Sequence, residues 1–191
     1  INIETWNRCK NIQKVKDKAD LFELGFSTLF LNRTNISGIL DAGIIGGINQ
    51  TGKYKMGCRF YKVTLIQRIK SIVKFRKNIE LYNLDALELV KMLQEKNTNN
   101  TIYYFDPPYY LKGPSLYLNS YKDSDHEQVA NEIKNIANAH WIVSYDNISQ
   151  IRKLYSGMRN KIYRLSYTAR NQKIGSEILF FSPNLVIPRT I

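Results

Sequence analysis

Asp106-Pro107-Pro108-Tyr109 is the segment of this sequence whose residue types and order fit a definite chemistry. It follows Thr101-Ile102-Tyr103-Tyr104-Phe105, five residues that favour a strand. Prolines cannot donate to a sheet ladder, so the strand must stop at Pro107. A carboxylate and an aromatic ring are thereby placed on a stiff turn at the C-terminal end of a strand. In open α/β sheets that end is where ligands bind. A carboxylate, a turn with outward carbonyls and a stacking ring suit a planar base that carries an amino group.

The amino nitrogen of such a base is a poor nucleophile, because its lone pair is delocalised into the ring. An acceptor on each amino hydrogen draws the nitrogen toward tetrahedral geometry and localises the pair. Asp106 is placed to accept one hydrogen and the Pro107 carbonyl the other. Prearranged acceptors of this kind stabilise developing positive charge, the mirror image of an oxyanion hole. Tyr109 supplies a surface on which an extruded base stacks, offsetting the few kcal/mol that flipping costs. The chemistry that fits is methylation of the amino group of a flipped nucleobase.

The elements that must hold this turn alternate in type. Ile79–Tyr82 is a short β-prone run, and Asp85 is placed to cap a helix from Ala86 to Lys96. Ser124-x-x-Glu127 reads as a capping box for a helix from about Asp125 to Ala139, with Val129, Ile133, Ile136 and Ala137 as its buried stripe. Trp141–Tyr145 reads as a buried strand and Ile148–Tyr155 as a helix ended by Gly157. Lys161–Thr168 and Glu177–Phe181 read as strands joined by the polar loop Arg170–Gly175. The order βαβαβαββ predicts a mostly parallel sheet finished by a hairpin.

The first 78 residues differ in kind. Asp20–Leu31 is predicted helical with a break near Gly25. Residues 32–60 are glycine-dense and interleaved with Asn32, Arg33, Thr34, Asn49, Gln50, Lys53, Tyr54 and Arg59. Glycine permits tight turns and close backbone approach. Arg, Asn and Gln make paired hydrogen bonds to base edges, and Lys suits phosphates. The combination predicts a loop or hairpin that enters a DNA groove, the plain alternative being an ordinary surface loop. Lys62–Lys77 is predicted to be an amphipathic helix with Leu65, Ile66, Ile69, Ile72 and Val73 facing inward.

Charge points the same way. The 191 residues carry 28 Lys/Arg against 16 Asp/Glu, a net +12. Residues 1–80 hold 15 basic and 6 acidic residues and residues 81–191 hold 13 and 10. A basic half joined to a nearly balanced half fits a DNA-gripping lobe on a catalytic lobe, with double-stranded DNA as partner. No apolar run approaches the roughly 18 residues of a membrane span, and residues 1–20 lack the apolar core of a signal peptide. Cys9 and Cys58 form no CxxC pair, so no metal is expected and both are read as reduced thiols of a cytoplasmic protein.

Asp106-Pro107-Pro108-Tyr109 resembles motif IV of amino-methyltransferases that act on adenine or cytosine, and the wider pattern resembles the Dam-type (alpha-group) DNA adenine methyltransferases of bacteria and phages. Leu31-Asn32-Arg33-Thr34 with Gly38 resembles the Asn-Arg-Thr signature of the target-recognition region in that family. Asn83-Leu84-Asp85-Ala86 is similar to the motif whose Asp binds the adenine of the cofactor, and residues 141–147 and 177–180 are similar to the later strands. The resemblance covers residues 25–182. It implies an α/β fold: a partial Rossmann-like methyltransferase sheet ending in a β-hairpin, with an inserted, mainly helical target-recognition lobe. Residues 1–78 would form that lobe and 79–191 the catalytic lobe. The implied activity is transfer of a methyl group from S-adenosylmethionine to the 6-amino group of adenine in DNA. Asp106, Pro107, Pro108 and Tyr109 would be catalytic, and Asp85, Ala86, Asp106 and Pro107 would bind cofactor. Asn32, Arg33, Thr34, Asn49, Gln50, Lys53, Tyr54, Arg59 and Lys112 would contact DNA. A cognate restriction endonuclease is a further candidate partner.

The family places a Phe-x-Gly-x-Gly cofactor loop ahead of the recognition region, and nothing before Asn32 matches it. Gly43-Ile44-Ile45-Gly46-Gly47 is no substitute, since it lies after Asn-Arg-Thr and lacks a strand–loop–helix setting. The expectation is a sequence that begins inside the recognition lobe and, taken alone, binds S-adenosylmethionine weakly or not at all. Three other readings stay open at this point: cytosine 4-amino methylation, RNA adenine methylation, and a DNA-binding chain that does not catalyse.

Overall fold

A computed structural model describes residues 1–95, 100–111, 121–167 and 173–188. The chain divides into two compact units, Ile1–Leu81 and Tyr82–Ile191.

The first unit is helical. Helix α1 spans Ile3–Lys14 and is capped by Asn2, whose Oδ1 accepts from Thr5 N at 2.8 Å. No helix is predicted here from the sequence. Its signal was the three-residue spacing of Trp6 and Cys9, the two residues it buries. Helix α2 spans Leu21–Thr34, and the Asp20 carboxylate caps it by accepting from Phe22 N and Glu23 N. The expected break at Gly25 does not occur. Glycine costs a helix only about 1 kcal/mol, and Phe30 and Leu31, one turn on, are buried beside Trp6, Cys9, Ile44 and Met56. Trp6 Nε1 donates to Asn35 Oδ1 at 2.6 Å, and Asn35 Nδ2 donates to the carbonyls of Ile39 and Leu40. The buried Asn35 thus ties α1 to the chain that leaves α2.

Residues 36–60 run in turns and short 3₁₀ segments, with one isolated bridge between Asn35 and Ile44. At Gly46 (φ +87°) a Cβ would lie 2.6 Å from the Tyr54 carbonyl oxygen, so this close approach of backbone to backbone needs glycine. Helix α3 spans Lys62–Val73 as its period predicts, but the inward stripe does not bury. Ile66, Ile69, Ile72 and Val73 are all exposed. Amphipathic spacing fixes which residues share a face, not whether that face is covered.

The second unit is an α/β layer. Helix α4 spans Ala86–Glu95, and its first turn is capped by Asp85, whose Oδ1 accepts from Leu87 N at 2.9 Å. Strand β1 spans Ile102–Phe105, helix α5 Asp123–Lys134, strand β2 His140–Asp146 and helix α6 Ser149–Leu154. The hairpin strands are β3, Arg159–Tyr167, and β4, Lys173–Phe181. The sheet order is β1-β2-β4-β3. Strands β1 and β2 are parallel, and β4 runs antiparallel to both β2 and β3.

Three expectations change here. The sheet is mixed, because β4 returns between β2 and β3 instead of closing a parallel run. Ile79–Tyr82 forms no strand among the described residues, and Leu81 is exposed. Helix α5 starts two residues earlier than its Ser124 box implied. Asp125, not Glu127, reaches back to accept from Lys122 N at 2.8 Å. The helix stops at Lys134, which leaves Ala137 exposed.

One face of this sheet carries the core: Tyr103, Trp141, Val143, Tyr145, Ile178 and Phe180 pack with Val90, Val129, Ile133, Ile151 and Tyr155. A fully buried residue such as Ile133 contributes about 1.5–3 kcal/mol. No helix among the described residues is long and apolar enough to cross a membrane.

Candidate active site

Strand β1 ends at Phe105, paired with Val143, and Asp106-Pro107-Pro108-Tyr109 continues from it as irregular chain. The prolines end the strand, and Pro107 is buried while Asp106 reaches solvent. The Asp106 carboxyl is raised above the usual carboxylate range, first by partial burial and then by the nearby charge of Glu177. A carboxylate made more basic in this way is a better acceptor for an acidifying N–H.

The residues that follow Asp106 are held by two acids on neighbouring strands. Tyr109 Oη donates to Glu177 Oε1 at 2.8 Å. Backbone N–H groups of Tyr110 and Leu111 donate to the Asp146 carboxylate at 3.1 and 3.3 Å. Asp146 and Glu177 face each other directly across the β2–β4 pair. Neither had a site role in the sequence reading. Both lie far along the chain from the turn they hold, so no local spacing marks them.

Below the turn, the buried His126 hydrogen-bonds Tyr145 Oη through Nδ1 at 2.9 Å. Tyr110 and Tyr121 lie against its ring, with centroids 5.0 and 5.3 Å away. Burial lowers the His126 pKa, against the opposing pull of Asp146, Asp123 and Asp125. Tyr110 thereby joins the segment to this aromatic cluster.

A cavity of about 310 Å³ opens between α4 and the end of β1. Its lining includes Ala86, Leu89, Leu93, Tyr103, Asp106 and Pro107. Three of the four residues read as cofactor contacts, Ala86, Asp106 and Pro107, thus share one cavity. The fourth, Asp85, caps α4 next to it. Tyr103 is buried, and its hydroxyl has no hydrogen-bond partner among the described residues. Apolar walls and the Asp106 carboxylate suit a planar, amino-bearing ligand. The volume sits at the small end of ligand pockets, which run from about 300 to 1,000 Å³.

In the first unit the residues read as DNA contacts separate into two groups. Asn49, Lys53 and Tyr54 are exposed, with Lys53 Nζ 5.8 Å from the centroid of the Tyr54 ring. The others are engaged with the unit's own backbone. Thr34 is fully buried and donates to Phe30 O. Both Gln50 amide donors go to Ile45 O and Gly47 O, and its Oε1 accepts from Met56 N. Those bonds hold Gln50 at φ +51°. Arg59 donates to the Asn32 and Asn35 carbonyls at the C-terminal end of α2, a cation on the negative end of a helix. Arg33 Nε donates to Arg59 O, and Asn32 Nδ2 to Gly38 O. Lys112 lies outside the described residues.

A family model for D12 class N6 adenine-specific DNA methyltransferases matches residues 2–170. The chain belongs to that family. It is a family of enzymes, and membership implies methylation of adenine in DNA, which sets aside cytosine and RNA as the substrate class. The match takes in both α1 and the Asp-Pro-Pro-Tyr segment, and so extends beyond the residue 25 at which the sequence resemblance began. No curated protein matches the sequence.

Proposed function

We propose that this protein transfers a methyl group from S-adenosylmethionine to the 6-amino group of an adenine flipped out of duplex DNA. The observation that carries the reading is the Asp106-Pro107-Pro108-Tyr109 segment at the C-terminal end of β1, with Asp106 and Pro107 lining the cavity beside α4. Bound S-adenosylmethionine supplies an electrophilic methyl group. Ala86, Leu89 and Leu93 hold the apolar part of the cofactor, and Asp85 lies where the positive end of α4 begins.

Asp106 accepts one hydrogen of the adenine amino group and the Pro107 carbonyl accepts the other. The lone pair becomes localised, the positive charge that grows on nitrogen as the methyl group leaves sulfur is met by the carboxylate, and the surplus amino proton then passes to solvent. Tyr109 stacks on the flipped base. Lys53, Tyr54 and Asn49 contact DNA, and Gln50, Arg59, Thr34 and Asn32 shape the segment that presents them. A bacterial or phage setting, in the cytoplasm and beside a cognate restriction endonuclease, is the biological context consistent with the family.

The test is incubation of the full-length protein with unmethylated genomic DNA and S-adenosylmethionine labelled in its methyl group. Digestion to nucleosides should place the label in N6-methyldeoxyadenosine. Label in deoxycytidine, or DNA without label, would overturn the proposal.

A further inference from the structure

Glu177 is only 5% exposed, yet it is a carboxylate on a central strand. Burying a charge is costly unless hydrogen bonds compensate it. Here they come from two tyrosines. Tyr109 Oη donates to Oε1 and Tyr163 Oη donates to Oε2. Ser144 Oγ lies 3.5 Å from Oε2, at the limit of a hydrogen bond. Tyr163 is opposite Glu177 in the β3–β4 register, and its hydroxyl, pushed up to about 12 by burial and by this carboxylate, remains a donor across the physiological range.

The second carboxylate, Asp146, stands directly across from Glu177. Like charges placed opposite each other on neighbouring strands repel. The segment after Asp-Pro-Pro meets both acids: the Tyr109 hydroxyl donates to Glu177, and the N–H groups of Tyr110 and Leu111 donate to Asp146. The Glu177 tether grips Tyr109 at the ring's hydroxyl edge.

We propose that Glu177 is a positioning residue for amino methylation, fixing the Tyr109 ring as a preset stacking platform through the Tyr109 Oη–Glu177 Oε1 hydrogen bond while Tyr163 braces it from β3. The inference rests on the reading of Tyr109 as the surface that receives the flipped adenine. Holding a ring in place before the base arrives removes an ordering cost from the reacting complex.

The experiment is steady-state methyl transfer by the full-length protein carrying Glu177→Leu, Tyr109→Phe, both, or Asp106→Ala. Each single change at the tether should lower kcat about tenfold, with KM for DNA moving less than about threefold, as expected for lost positioning. Tyr109→Phe removes the same hydrogen bond without touching the buried acid, so it reports even where Glu177→Leu fails to fold. The double variant should be no slower than the worse single variant, within about twofold, because both remove one interaction. Losses that multiply would mean that Glu177 supports the fold in general, and would overturn the proposal; so would Tyr109→Phe with wild-type kcat. Asp106→Ala separates the two layers. If it abolishes transfer while the tether variants keep wild-type turnover, only the positioning role fails. If it leaves transfer intact, the site reading fails and the inference with it.

Discussion

Asp106→Ala will lower methyl transfer by about 100- to 1,000-fold while duplex binding stays within a few-fold of wild type. The size follows from removing one prearranged group that meets charge developing in the transition state. Duplex binding survives because Asp106 is an acid at the end of β1 and adds no attraction for phosphate. The same carboxylate should cost the fold some stability. Burial and the charge of Glu177 raise the Asp106 pKa above its unfolded value, so folding disfavours the ionised form. That penalty is absent below the unfolded pKa of about 3.9, grows as pH rises through the folded pKa, and is complete above it. Asp106→Asn should therefore melt higher than wild type at neutral pH, with the difference fading as pH falls toward about 4. Thermal melts at several pH values, together with turnover, check both halves. A variant that retains turnover, or that melts lower than wild type at neutral pH, contradicts this account of the residue.

DNA binding will weaken steeply with salt. The first 80 residues carry 15 basic and 6 acidic side chains, and such a surface binds duplex by displacing counterions from phosphates. With about four to six phosphates contacted, affinity should fall roughly 100- to 1,000-fold between about 50 and 200 mM salt. Lys53→Ala should flatten that slope by close to one contact and weaken binding to all sequences alike. Arg59→Ala should act differently, because its guanidinium caps α2 through the Asn32 and Asn35 carbonyls. Its loss should lower the melting temperature before it touches the salt slope. Fluorescence anisotropy across a salt series reads the slopes directly, and a flat plot for the wild type would remove the electrostatic part of the account.

The turn at Asp106 was legible in the sequence because its chemistry is local. Four consecutive residues carry the acid, the rigid stop and the ring, and the five before them predict the strand that places them. Helix α4 and its Asp85 cap were legible for the same reason. Glu177 and Asp146 were not. A glutamate in a strand ordinarily alternates toward water, and only the fold shows that a tyrosine 68 residues earlier donates to it. At Gln50 and Arg59 composition left the partner open. The groups that suit them to base edges suit them equally to backbone carbonyls, and the structure gives them the latter. Helix α3 shows a further limit. Its period was readable, but the exposure of Ile66, Ile69 and Ile72 was not, because burial depends on what else is present to cover a face.

The most direct test of the central claim is a structure of the full-length protein with duplex DNA and a non-reactive analogue of S-adenosylmethionine. The account predicts an adenine turned out of the duplex and stacked on Tyr109. Its amino nitrogen should lie about 2.7–3.2 Å from both an Asp106 carboxylate oxygen and the Pro107 carbonyl oxygen. An adenine left paired in the helix, or an extruded base whose amino group faces away from Asp106, would contradict it.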